Sequence, residues 1–176
     1  MTKGGVAVED VRSTLAVDSV HDELTGFVNR DALAVLVEYA IARARRDGEC
    51  LTLLWFDIDG IDEINTRHGR EYGDAAIVEF GELVRGELRS SDVVARMGES
   101  EFGVLLSGTD ATQAGVVINH VTSVIRERNI DTDRPFLLTA LVTRASFEPA
   151  SELLTFDALM ADAIERRQSG RTVAVR

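Results

Sequence analysis

Cysteine, proline and positive charge are scarce in this chain. A single cysteine, Cys50, excludes an internal disulfide and a thiolate metal cluster. Only two prolines occur and no stretch is of low complexity or repeats, so no extended linker divides the chain. Lys and Arg number 19 against 30 Asp and Glu, a formal net charge of -11. No basic patch wins easily against that field, which argues against nucleic acid as a partner. A phosphorylated small ligand would need local cations or a metal to reverse the sign. No run reaches the ~18 apolar residues of a membrane span. The opening "MTKGGVAVEDVR" lacks a basic segment followed by an apolar run, so no signal peptide is expected. The expectation is a cytoplasmic protein with no membrane partner. Three histidines, His21, His68 and His120, stand far apart and read as surface or cap residues.

What is present suits one folded domain with a short appendage. Hydrophobic residues make up 45% of 176, enough for a core and too many for a disordered chain. A weak apolar stripe predicts a helix from residue 8 to about 21, and the boundary to the body falls near residue 20, giving 1–20 as helix or linker and 21–176 as the domain. "DELTGFVNR" (22–30) is rich in turn formers. Residues 31–46 carry Leu33, Leu36, Val37, Ala40, Ile41 and Ala44 at helical spacing, with Asp31 as N-cap and Gly48 beyond the end. "LTLLWFDI" (51–58) is continuously apolar, as a strand covered on both faces would be. Helices are predicted at 61–67, 74–88, 111–128 and 152–167, and strands at 93–97, 101–107, 135–147 and 171–176. The order gives an α+β fold, an α/β sandwich with a βαββαβ core and an antiparallel-containing sheet flanked by helices.

Four pieces recur in order: "DELTGFVNRDAL", "FDIDGIDEINTRHGREYGDAAI", "RSSDVVARMGESEF" and "RRQSGRTVAV". Together they resemble the GGDEF domain family, the diguanylate cyclases, over roughly residues 19 to 176. The resemblance implies a fold like nucleotide cyclase and polymerase palms. It also implies a reaction in which two GTP-loaded subunits face each other and form cyclic di-GMP. Such chemistry needs metals and positioning, because charge builds on phosphoryl oxygens. Mg²⁺ takes hard oxygen ligands, usually one or two carboxylates with substrate phosphates. The family supplies one carboxylate at the end of the first core strand and one at the third position of the signature turn.

In this sequence the first is Asp57, the one metal ligand carried over. The turn reads Gly98-Glu99-Ser100-Glu101-Phe102, so Ser100 stands where the second carboxylate belongs and Glu101 follows it. A neutral hydroxyl is a poor replacement ligand. Glu99 replaces a glycine that lets backbone N–H groups approach phosphate. Like charges at ~4 Å with an effective dielectric near 20 cost on the order of 4 kcal/mol, roughly a thousandfold in occupancy or rate. Asp62 stands where the family has a lysine for the phosphates. Asn65 and Asp74 match the guanine-binding positions, and Arg167 and Arg171 the late phosphate cations; their plainer readings are helix caps and a basic helix end.

Arg89 and Asp92 form an Arg-x-x-Asp pair five residues ahead of the turn, where the family binds its product as an inhibitor. A guanidinium can fork onto guanine O6 and N7 while a carboxylate accepts from its N–H groups. The plainer reading is a local ion pair at spacing (i, i+3). Arg128 and Asp131 repeat the spacing at a helix exit, and His120 stands where the family often adds a second arginine. The expected function is a degenerate, non-catalytic nucleotide-binding module for cyclic di-GMP or GTP, with Mg²⁺ where GTP binds, and a homodimer or signalling protein as partner. The alternatives are an active cyclase and an interaction module that binds no nucleotide.

Overall fold

A computed structural model describes residues 20–130, 134–152, 155–168 and 173–175. The expected helix over 8–21 lies almost wholly outside them, as does Arg171. The elements are β1 (Val28–Asn29), α1 (Arg30–Asp47), β2 (Leu51–Ile58), α2 (Ile61–His68), α3 (Arg70–Gly86), β3 (Val93–Arg96), β4 (Glu101–Ser107), α4 (Ala111–Ile130), β5 (Ala140–Phe147), α5 (Phe156–Gln168) and β6 (Val173–Val175). They build one six-stranded sheet in the order β1-β3-β4-β2-β5-β6. β2 lies inside it, antiparallel to β4 and β5 along its length, and among the described residues only β1 and β3 run parallel. The βαββαβ core runs from β2 through β5.

Side chains alternate across β2. Leu54, Phe56 and Ile58 join Phe80, Phe102 and Ile118 in a core under α2, α3 and α4. Leu51, Leu53 and Trp55 join Leu33, Val37, Phe147 and Leu159 under α1 and α5. Both faces are therefore dry, which explains why "LTLLWF" is apolar without a break. By the same alternation Asp57 sits on the α1/α5 face.

Several boundaries differ from the sequence reading. The cap of α1 is Asn29 rather than Asp31: its Oδ1 accepts from the Ala32 N–H at 2.9 Å, and Asp31 lies inside the first turn. Two residues of the turn-rich 22–30 segment pair with β3 as β1. α3 starts at Arg70, directly after Gly69, whose φ of 101° few other residues adopt. β5 begins at Ala140 rather than 135, because the Asn129 amide holds the backbone at Leu138, with Oδ1 accepting from its N–H and Nδ2 donating to its carbonyl. α5 begins at Phe156, where Thr155 Oγ1 accepts from the Ala158 N–H at 3.1 Å.

Candidate functional site

The signature turn is the tip of the β3–β4 hairpin. The Met97 N–H donates to the Glu101 carbonyl at 2.7 Å, leaving Gly98, Glu99 and Ser100 as the loop. The Ile58 N–H donates to the Ser100 carbonyl at 2.9 Å, fastening the tip to β2. Arg96 holds it from the other side, with Nε donating to the Gly98 carbonyl (3.0 Å) and Nη2 to the Glu99 carbonyl (2.9 Å). Its Nη1 reaches both carboxylate oxygens of Asp22 at 3.1 and 3.2 Å. Burial pushes the Asp22 carboxyl up, but Thr25 and Arg96 outweigh it and hold it below the ordinary range.

Register places Asp57 directly across from Glu101. Asp57 Oδ1 accepts from the Ser100 hydroxyl at 3.1 Å, and Oδ2 accepts from Arg167 Nη2. The Arg167 guanidinium also lies over the Trp55 ring, 5.4 Å from its centroid. Thus the Ser100 hydroxyl and a cation from α5 share the two oxygens of Asp57. Burial, then the Asp57 charge, push the Glu101 carboxyl up; Arg167 and Arg30 act in the opposite direction. The donor set fits Mg²⁺ poorly. One of its oxygens is a neutral hydroxyl and its carboxylate is ion-paired to a guanidinium. Among the described residues no three His, Cys, Asp or Glu side chains gather into a set that could hold a metal.

A cavity of about 350 Å³ opens on the other side of the tip, lined by Ile61, Asp62, Asn65, Arg70, Asp74, Ile77, Arg96 and Glu99. Asn65 and Asp74 are thus brought together, and with Glu99 and Asp62. Gly73 makes room for the Asn65 amide: a Cβ there would lie 2.0 Å from Asn65 Oδ1. That Oδ1 is shut off from solvent and has no hydrogen-bond partner among the described residues. A buried acceptor left unpaired costs about 1–3 kcal/mol.

Arg89 and Asp92 lie at the far end of β3 from the tip. Among the described residues no ion pair joins them. The nearly buried Asp92 carboxylate instead accepts from the Arg89 N–H at 3.1 Å and the Ser107 N–H at 3.3 Å. Arg85 Nη1 donates to the carbonyls of Arg89 (3.0 Å) and Asp92 (3.2 Å), closing the turn. His120 is exposed on α4. His21 forms an isolated bridge with Val28, and His68 lies beside the Tyr72 ring. Sequence reasoning passed over Arg96, Asp22 and Trp55. The strand alternation that puts Trp55 and Asp57 on one face was available; nothing local signalled the Asp22–Arg96 pair, 74 residues apart.

Residues 19–154 match the family described as "Diguanylate cyclase, GGDEF domain". The diguanylate cyclase TpbB of Pseudomonas aeruginosa is 34% identical over 167 residues, which is 92% of this chain but 38% of that protein. A solved structure of the isolated GGDEF domain of the same relative superposes with a TM-score of 0.74 at 30% identity, covering 84% of this chain and 89% of that one. The diguanylate cyclase SiaD of the same organism, solved with its activator SiaC, gives a TM-score of 0.73 at 27% identity, covering 92% of this chain and 63% of that one.

Proposed function

This chain belongs to the GGDEF domain family of diguanylate cyclases, and on that premise we propose that it is a non-catalytic member serving as a nucleotide-binding regulatory module in cyclic di-GMP signalling. One observation carries the reading: both oxygens of Asp57 are engaged, one by the Ser100 hydroxyl and one by the Arg167 guanidinium. Binding a divalent ion there means breaking an ion pair and displacing a hydrogen bond, with no second carboxylate at position 100 to compensate. The test is incubation of the purified chain with GTP and Mg²⁺ and chromatography of the products. We expect GTP to return unchanged; cyclic di-GMP formed by the wild type and abolished in Asp57→Ala would overturn the proposal. The second reading, an active cyclase, draws support from Glu101, whose carboxylate faces Asp57 across the strands.

The regulatory ligand is cyclic di-GMP at Arg89 and Asp92. Among the described residues the Arg89 side chain has no ion-pair partner. The two backbone N–H groups on the Asp92 carboxylate use two of its roughly four lone-pair sites, leaving capacity for a guanine edge. Calorimetric titration should give heat that Arg89→Ala removes. Silence at high micromolar ligand, or indifference to the substitution, would refute it. The output is a homodimer contact or a signalling protein, as SiaD is gripped by SiaC.

A further inference from the structure

We infer that the slot between α2 and the extended backbone ahead of β5 docks an extended segment of a partner protein, one bearing lysine or arginine, which adds to the sheet as a strand. Such docking needs no nucleotide, and it supplies a contact through which a regulatory module can act.

The slot exists because two neighbouring strands end at different places. β2 and β5 pair as far as Ile58 and Ala140, and the Asp59 N–H donates to the Thr139 carbonyl at 2.8 Å. At Gly60, with a φ of 80°, one chain leaves the sheet and enters α2. The other stays extended back to Pro135: Phe136, Leu138 and Ala140 are buried while Pro135 and Leu137 are exposed, the period of a strand. Backbone groups of successive strand residues point to opposite edges. Those of Leu138 are taken by the Asn129 amide, whose Oδ1 accepts from the N–H at 2.9 Å and whose Nδ2 donates to the carbonyl at 2.8 Å. Those of Leu137 face the side that β2 has left. Among the described residues neither its N–H nor its carbonyl has a partner. An unpaired edge of this kind is a template for a further strand.

The space beside that edge is a cavity of about 320 Å³, at the small end of the range for ligand pockets, roughly 300–1,000 Å³. Gly60, Glu63 and Arg67 line it on the α2 side, and Ile64 and Phe136 give it apolar surface. Leu137 keeps 58% of its exposure, a large apolar side chain for a docked segment to cover. Charge selects the occupant. Glu63 is paired with Arg67 at 2.7 Å, which leaves Asp59, exposed at the mouth, with no ion-pair partner among the described residues. The whole chain carries a net charge of -11. A segment in which lysine or arginine alternates with aliphatic residues suits both features, with a cation beside Asp59 and aliphatic groups against the apolar lining. A segment rich in carboxylates would be repelled.

The experiment titrates a blocked six-residue peptide of alternating lysine and valine into the isotopically labelled chain, without nucleotide, following amide shifts and hydrogen exchange. Shifts are expected at Gly60, Glu63, Leu137 and Thr139, and exchange of the Leu137 N–H should slow by about tenfold at saturation, because that group becomes bonded. The same peptide with glutamate for lysine should bind at least about threefold more weakly, and Asp59→Asn should narrow that preference. Leu137→Pro removes an N–H that holds nothing in the free protein, so the fold should stand and peptide binding should fall by about threefold or more. No shifts at millimolar peptide, unchanged exchange at Leu137 on saturation, or equal binding of the glutamate peptide would each overturn the inference. So would shifts at the slot that grow with protein concentration alone, since a second copy of the chain would then be the occupant.

Discussion

Removing the Arg167 side chain should expose how much of the hairpin tip's order depends on a single cation. Two unit charges about 4 Å apart attract by about 4 kcal/mol at an effective dielectric near 20. The Asp57 and Arg167 side chains keep 21% and 36% of their exposure, so solvent screens the pair, and ordering a long arginine offsets more. A pairwise energy of about 1 kcal/mol remains, between the value of surface pairs and that of buried ones. Arg167 also lies on Trp55, a contact worth about 0.5–1 kcal/mol that Asp57 does not share. Arg167→Ala should therefore cost about 1–2 kcal/mol. Asp57→Ala should cost less, because it also removes the charge that pushes the Glu101 carboxyl up. Urea unfolding of the wild type, both single variants and the double variant at neutral pH gives the coupling energy directly. It should be about 1 kcal/mol at low salt and smaller at high salt. A coupling under about 0.3 kcal/mol, or Asp57→Ala proving the more damaging change, would refute the view that Arg167 holds Asp57 in place.

The Glu101 carboxyl is held above its ordinary range by burial and Asp57, so its favourable contribution is complete in acid and lost as pH rises through the folded-state value. Glu101→Gln should remove that loss; the urea midpoint difference in the variant's favour should widen from acid toward neutral pH, and a constant difference would contradict it. Ser100→Asp should lower stability by about 1–2 kcal/mol in chelator through like-charge crowding, and Mg²⁺ at tenfold over its Kd should return about 1.4 kcal/mol. Thermal melts in which the wild type gains as much from Mg²⁺ would count against the substitution's role. Arg96→Ala should cost about 2–3 kcal/mol and speed hydrogen exchange at Gly98–Glu101, because one side chain supplies an ion pair and two carbonyl contacts. Unchanged exchange there would show that the tip is ordered without it.

Local signals carried much of this fold and little of its wiring. β2 runs over Leu51–Ile58, the bounds its unbroken apolar run predicts, because a doubly covered strand writes itself into consecutive residues. The cap of α1 was harder: Asn29 and Asp31 both suit the role, and the sequence does not say that Arg30 is already helical. β1 was hidden because its two residues follow a turn in which Asp22 Oδ1 accepts from the Thr25 N–H, and its parallel partner lies far along the chain. Residues 135–139 look like strand by composition, yet Asn129 holds their backbone and hydrogen bonding to β2 starts only at Ala140. At the site, the hydroxyl at position 100 is legible in the five letters of the turn. That Asp57 is then shared between Ser100 and Arg167 is not, since the arginine comes from 110 residues away. Arg89 and Asp92 have the spacing of an ion pair, but in the turn two backbone N–H groups occupy the carboxylate first.

Arg96 gives the domain a mechanical property. Its three donors grip the Asp22 carboxylate and the successive carbonyls of Gly98 and Glu99. The segment around residues 20–29 is therefore tied to the hairpin twice, by the pairing of β1 with β3 and by this guanidinium. One planar side chain thus holds the apex to the Asp22 loop without lengthening either strand.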